Sequence, residues 1–243
     1  MVESTLEEDN WMPLEANPVV VNEFITKIGF ETIFYKFYDV ISIDEFSLAI
    51  LPQPVQALIF LFDETKPQRA FKKEQKAKLE ASGQFIDEEL FYMKQYAKNA
   101  CGTIAAFHVL LNFYIKTKSF VTKGTYLDNF LNETSKMTPE ERGKYFLKDE
   151  GLKETHKKAA KEGQSKPTEK AVAHFIGFVP FKGHLYELDG GKFGPINHGE
   201  CTDEEFLFKA IEVIKQYIER DPTQVKFSIL ALAPQDEDVF GYQ

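Results

Sequence analysis

Cysteine is scarce in this chain. Two in 243 residues, Cys101 and Cys201, are too few for a disulfide-stapled scaffold. No secretory leader pattern and no long apolar run accompany them, so the expected setting is reducing and cytoplasmic, with no membrane partner. The five histidines and two cysteines form no close cluster, which leaves no metal-ligand spacing. No phosphate-cradling glycine loop is visible, and no nucleotide or other cofactor is expected. Cations are outnumbered: 29 Lys and Arg against 38 Asp and Glu give a net charge of −9. That balance disfavours nucleic acid as a partner and fits a cationic partner better. The hydrophobic (43%) and charged (28%) fractions are those of an ordinary globular protein, and the length allows one large domain with a substantial core. No repeat and no second domain are visible, and a monomer is expected.

Against this background one thiol is unusually placed. Cys101 ends a polar, turn-prone stretch, and Ile104, Phe107, His108 and Leu111 then recur at helical spacing. With Asn99 as the expected N-cap, Cys101 falls in the first helical turn. There it faces the positive end of the helix dipole, which favours the thiolate and with it nucleophilic chemistry. A lone Cys in an apolar helix is more often a small buried hydrophobe, so the placement needs partners to count. Cys201, before a polar helix start, has no strand-borne His in view and is read as a bystander. His108 falls on the apolar face of its helix as a hydrogen-bonded core residue, and His156, His184 and His198 are read as structural or solvated.

The partners come from a hairpin. Residues 174–180 and 184–189 read as two strands, with Lys182-Gly183 as a two-residue turn. That register pairs residues whose numbers sum to 365, so Ile176 faces Asp189. His174 shares a face with Ile176, which makes Asp189 its diagonal neighbour, roughly 7 Å away between Cβ atoms. Glu187 pairs one step further off, opposite Phe178. A slip of one residue would turn Asp189 to the other face.

The remaining pattern is that of a layered α/β protein. Asn17-Pro18 starts a helix whose stripe is Val20, Val21, Phe24, Ile25 and Ile28, ended by Gly29. Residues 33–40, 55–62 and 226–233 read as strands, the last two buried. Residues 64–83 are Lys-rich and expected to be exposed, and residues 86–97 are read as helical. Thr138 with Glu141, and Thr202 with Glu205, have capping-box spacing before two further helices.

Several separated motifs, in order, resemble the ubiquitin carboxyl-terminal hydrolases, thiol proteases that remove adducts from the C-terminal glycine of ubiquitin. They are residues 95–103 (Gln-Tyr-Ala-Lys-Asn-Ala-Cys-Gly-Thr), 183–190 (Gly-His-Leu-Tyr-Glu-Leu-Asp-Gly) after the His174 strand, 11–18, 195–199 and 219–222. Together they span about residues 11–234 and match the short, single-domain kind. The resemblance implies a papain-like fold with a central, mostly antiparallel sheet flanked by helices, in the family's knotted topology. It implies Cys101 as nucleophile, His174 as general base, Asp189 as the residue orienting it, and Gln95 as oxyanion donor with the Cys101 N–H. Lys98 departs from the family pattern, where many members carry a smaller residue.

The resemblance also implies ubiquitin as partner, with NEDD8 as a second candidate, and Pro13, Leu14 and Glu15 as ubiquitin-facing residues. The Arg-containing ubiquitin tail would suit an acidic groove. Residues 151–170 hold six Lys, three Glu and one large apolar residue, Leu152, and are expected to be mobile. In the resembling family this position is the crossover loop over the active site, which limits the leaving group. A non-catalytic ubiquitin-binding protein and acyl transfer to another amine are the alternatives.

Overall fold

The structure, a computed structural model, describes residues 11–163 and 173–235. Its centre is a six-stranded, wholly antiparallel sheet, ordered β1-β6-β2-β3-β4-β5. The strands are β1 (Tyr35–Asp39), β2 (Ala57–Asp63), β3 (Ala173–Phe181), β4 (His184–Leu188), β5 (Ile196–Glu200) and β6 (Phe227–Pro234). The near-continuous apolar runs of β2, β3 and β6 are explained by burial on both faces. Alternate residues of β2 divide between two cores: Ala57 and Ile59 face one, Leu58, Phe60 and Phe62 the other.

The first core is built around α4 (Cys101–Thr117), whose first thirteen residues are all buried. Around it lie α1 (Pro18–Lys27), α5 (Tyr126–Thr134), α6 (Pro139–Leu147) and α7 (Glu150–Glu162). On the other face lie α2 (Glu45–Ala49) and α8 (Phe206–Arg220), with α3 (Lys66–Ser82) against α8. Asn17 caps α1, its Oδ1 accepting from Val19 N–H at 2.9 Å, and the expected apolar stripe is buried. The Thr138–Glu141 capping box is complete in α6. Thr202 and Glu205 make the same reciprocal bonds (3.1 and 3.3 Å), but in a turn, and α8 begins only at Phe206.

The β3–β4 hairpin has the expected register. Gly177 pairs Leu188 and Phe178 pairs Glu187, and the turn residues Lys182 (φ 44°) and Gly183 (φ 81°) both have the positive φ of a type I′ turn. α4 crosses β3 closely because β3 carries no side chain at the crossing, where Gly177 lies. A Cβ added at Gly177 would lie 2.8 Å from Val109 Cγ1.

Two expectations fail. Residues 86–97 are an extended segment rather than a helix. Its backbone groups are bonded by side chains of α4. Asn112 accepts from Phe91 N–H (2.8 Å) and donates to Phe91 O (2.9 Å), and His108 Nε2 accepts from Met93 N–H (3.1 Å). Burial lowers the His108 pKa to about 4, so the ring is neutral and its Nδ1 donates to Leu188 O. Residues 151–162 are not a mobile loop but most of α7. Asp149 caps that helix, accepting from Leu152 N–H at 2.8 Å, and Leu152, His156 and Ala159 form a narrow buried stripe packed towards α1. His156 joins it as a buried neutral ring, Nε2 donating to Met12 O and Nδ1 accepting from Thr103. Residues 164–170 of the expected loop lie outside the described residues.

Two tests follow from these contacts. Gly177→Ala should cost about 1–3 kcal/mol in denaturant unfolding, through overpacking against Val109. His108 is held neutral in the fold, whereas an unfolded His binds a proton below about 6.5. The unfolded state therefore takes up the proton first, and stability falls as pH drops from about 6.5 towards 4, by up to roughly 3 kcal/mol. His108→Gln, which keeps an acceptor for Met93, should flatten that part of the stability–pH curve. An unchanged slope would place the acid sensitivity elsewhere.

Candidate active site

Cys101 opens α4, and the residue before it, Ala100, supplies no side-chain cap. Asn99 is not the N-cap expected from the sequence. It sits in the left-handed region (φ 61°), which Asn tolerates better than most residues, and its Nδ2 donates to Trp11 O at 3.0 Å. Trp11 N–H in turn donates to Lys98 O at 3.0 Å. The turn is thus held by the N-terminal segment, and the first N–H groups of α4 have no side-chain cap beside the thiol. Leu14 packs under this turn: a Cβ added at Gly102 would lie 3.1 Å from Leu14 Cβ and 3.4 Å from the Phe175 ring.

Phe175 adjoins His174, so this close approach brings the start of α4 to the start of β3. His174 hydrogen-bonds Cys101. Its Nε2 pairs with Asp189 Oδ1 at 2.7 Å, which leaves Nδ1 for the thiol. Burial disfavours the imidazolium, but the charge and hydrogen bond of Asp189, with the Cys101 contact, outweigh it and raise the His174 pKa. Asp189 is 2% exposed. Burial alone would raise its pKa; His174, Lys72 and Lys192 instead hold it well below the usual carboxylate range. Gly191 N–H donates to Asp189 Oδ1 at 2.8 Å, and Lys72 Nζ lies 3.2 Å from Oδ2. A thiol, an imidazole and an ionised carboxylate in series can generate and hold a nucleophilic thiolate.

Gln95 sits beside them. Its N–H donates to Gly190 O (2.9 Å) and its Nε2 to Ala97 O (3.0 Å), while Oε1 is buried without a partner. The second Nε2 proton remains available.

The family model described as ubiquitin carboxyl-terminal hydrolase, family 1, matches residues 11–219. A ubiquitin carboxyl-terminal hydrolase of Drosophila melanogaster is 38% identical over 224 residues, 91% of this chain and 96% of the relative. Human ubiquitin carboxyl-terminal hydrolase isozyme L1 is 38% identical over 220 residues, 90% and 96% of the two chains. The chain belongs to ubiquitin carboxyl-terminal hydrolase family 1. By membership it is a deubiquitinating cysteine hydrolase. In fold it is similar to the catalytic domain of Trichinella spiralis UCH37 bound to ubiquitin vinyl methyl ester, with a TM-score of 0.72 at 24% identity, covering 96% of this chain and 99% of that one.

The hydrolase fold brings Cys101, His174 and Asp189 together and sets Gln95 on the adjoining loop. Of the three residues expected to face ubiquitin, Pro13 is exposed, Leu14 is buried under Gly102, and Glu15 is half-buried against Gly163 at the end of α7. Cys201 is buried, its thiol donates to Thr202 O (3.2 Å), and burial raises its pKa. Lys72 is the residue the sequence reading passed over. It lay in a stretch taken only as exposed, and its one signal was position on a Lys-rich helical face.

Glu187 has its own buried network: Lys192 and Tyr217 both donate to its Oε1, and His198 pairs with Oε2 at 3.0 Å. Burial opposes its ionisation, but Lys192 and His198 outweigh burial and lower its pKa to about 2. The two carboxylates should therefore respond differently to amide substitution. Asp189→Asn should lower kcat by about 10²-fold or more with modest change in ubiquitin affinity. Glu187→Gln leaves Lys192 buried against a neutral amide, and should cost about 3 kcal/mol of stability with a much smaller effect on kcat. The reverse ranking in kcat would assign the orienting role to Glu187.

Proposed function

We propose that this chain hydrolyses adducts from the C-terminal glycine of ubiquitin through an acyl-enzyme on Cys101. The observation that carries the residue assignment is the Cys101–His174–Asp189 series at the uncapped start of α4. Asp189 favours the proton on His174, so the thiol proton passes to the imidazole. The thiolate then attacks the carbonyl carbon of the glycine, forming the C–S bond. The oxyanion of the tetrahedral intermediate takes hydrogen bonds from the Cys101 N–H and the free Nε2 proton of Gln95. One such donor is worth about 3–4 kcal/mol of barrier. Collapse breaks the bond to the leaving amine or thiol, which takes the proton from His174. Water, deprotonated by the same ring, hydrolyses the thioester and restores the thiol.

The relatives' names and the ubiquitin adduct of the Trichinella structure support ubiquitin as the partner. NEDD8 is the second candidate. The family match over residues 11–219, with β6 paired between β1 and β2 in the same sheet, supports reading residues 11–234 as one catalytic domain. Both cysteines are free thiols, and no helix among the described residues is long and apolar enough to cross a membrane. These features support a cytoplasmic setting.

The nucleophile is tested with a ubiquitin probe bearing a C-terminal electrophile and with a fluorogenic ubiquitin adduct, run beside its NEDD8 counterpart. The probe should label Cys101 and leave Cys201 unmodified. Cys101→Ala should abolish turnover while ubiquitin still binds. Labelling at Cys201, or near-normal turnover by Cys101→Ala, removes the assignment.

A further inference from the structure

Arg69, Lys72, Lys73 and Lys76 lie at positions i, i+3, i+4 and i+7 of α3, one face of the helix. That face looks into a cavity of about 460 Å³, whose other wall carries Lys94, Gly191, Lys192 and Phe193. Six cationic residues thus line one space, on a chain whose net charge is −9. Among the described residues, the only carboxylate lining the cavity is Glu64.

Little of this charge is neutralised within the cavity itself. Lys72 lies 3.4 Å from Glu64 and 3.2 Å from Asp189, and Lys192 is committed to the buried Glu187. Two of the others bond carbonyl oxygens: Arg69 Nη1 donates to Glu64 O (2.6 Å) and Lys94 Nζ to Lys192 O (2.6 Å). Lys73 and Lys76 are exposed at the mouth, Lys76 with a loose pair to Glu80 at 3.7 Å. The crowding acts on Lys94. Burial lowers its pKa, and Lys76 and Lys72 lower it further against Glu140 and Asp189. An anion in the cavity would relieve that repulsion. The volume is in the range of small-ligand sites, and Lys and Arg on two facing walls suit several phosphate groups at once.

We propose that this cavity binds a compact, multiply phosphorylated small molecule. The site shares a wall with the His174–Asp189 pair: a Cβ added at Gly191 would lie 3.2 Å from Lys72 Nζ and 3.8 Å from His174 Cε1. An occupant would therefore draw on the same Lys72 that pairs with Asp189. The binding itself does not depend on the catalytic assignment and is measured without substrate.

The test uses the full chain and inorganic tripolyphosphate as probe, with ionic strength held constant by sodium chloride. Calorimetry should show saturable one-to-one binding. At a hundredfold excess over Kd the melting temperature should rise by about 5 °C. Orthophosphate should bind at least tenfold more weakly. Lys73→Glu with Lys76→Glu should weaken tripolyphosphate at least tenfold, whereas the same charge change at Lys157 and Lys158, exposed on α7, should leave it within twofold. Should the charge reversal unfold the protein, Lys73→Gln with Lys76→Gln gives the same comparison, with an expected loss of at least threefold. No saturable heat beyond the chloride control overturns the proposal. So does equal weakening by the α7 pair, or a short oligoglutamate that binds more tightly than tripolyphosphate.

Discussion

The approach of α4 to β3 is the constraint on which the rest of the molecule depends. Cys101 and His174 belong to different elements, and only their packing distance makes them partners. That distance is short because glycine stands at both points of closest approach, Gly177 facing Val109 and Gly102 facing Phe175 and Leu14. Side chains there would hold the helix further from the strand, and the thiol further from the ring. Van der Waals contact at two glycines thus positions a reactive pair that the electrostatics of Asp189 then tunes.

α4 also organises what lies around its own start. His108 and Asn112, one turn apart, bond the backbone of the extended segment that carries Gln95 into the site. Behind Asp189 stands a second tier of ion pairs, Lys72 with Glu64 and Lys192 with Glu187. Buried carboxylates remain ionised there because cations accompany them. The result is a face with local positive charge beside the His174–Asp189 pair, on a protein that is acidic as a whole.

Much of this was legible in the chain. The β3–β4 register followed from a two-residue turn and period-two alternation, and that register places Asp189 diagonal to His174. The apolar stripe of α1 and the buried runs of β2 and β6 needed only the pattern of apolar residues. What was misread depends on distant partners. Residues 86–97 carry helical spacing, but their N–H and C=O groups are bonded from α4, and the α4 side chains override local propensity. Residues 151–162 looked too polar to fold. A stripe of Leu152, His156 and Ala159 suffices because Met12 and Thr103 bond the His and Trp11 packs against its ring. Asn99 has the composition of a cap, yet it turns left-handed to reach Trp11.

That last contact bears on the order in which the molecule assembles. Asn99 and Trp11 are 88 residues apart, and His156 reaches back 144 residues to Met12. Contacts of such separation close late, because the loop entropy must be met before they give anything in return. The turn before Cys101 is complete only once the N-terminal segment has come back across it. A nascent or partly unfolded chain therefore lacks the turn that sets Cys101 against His174, and that juxtaposition becomes a property of the finished fold.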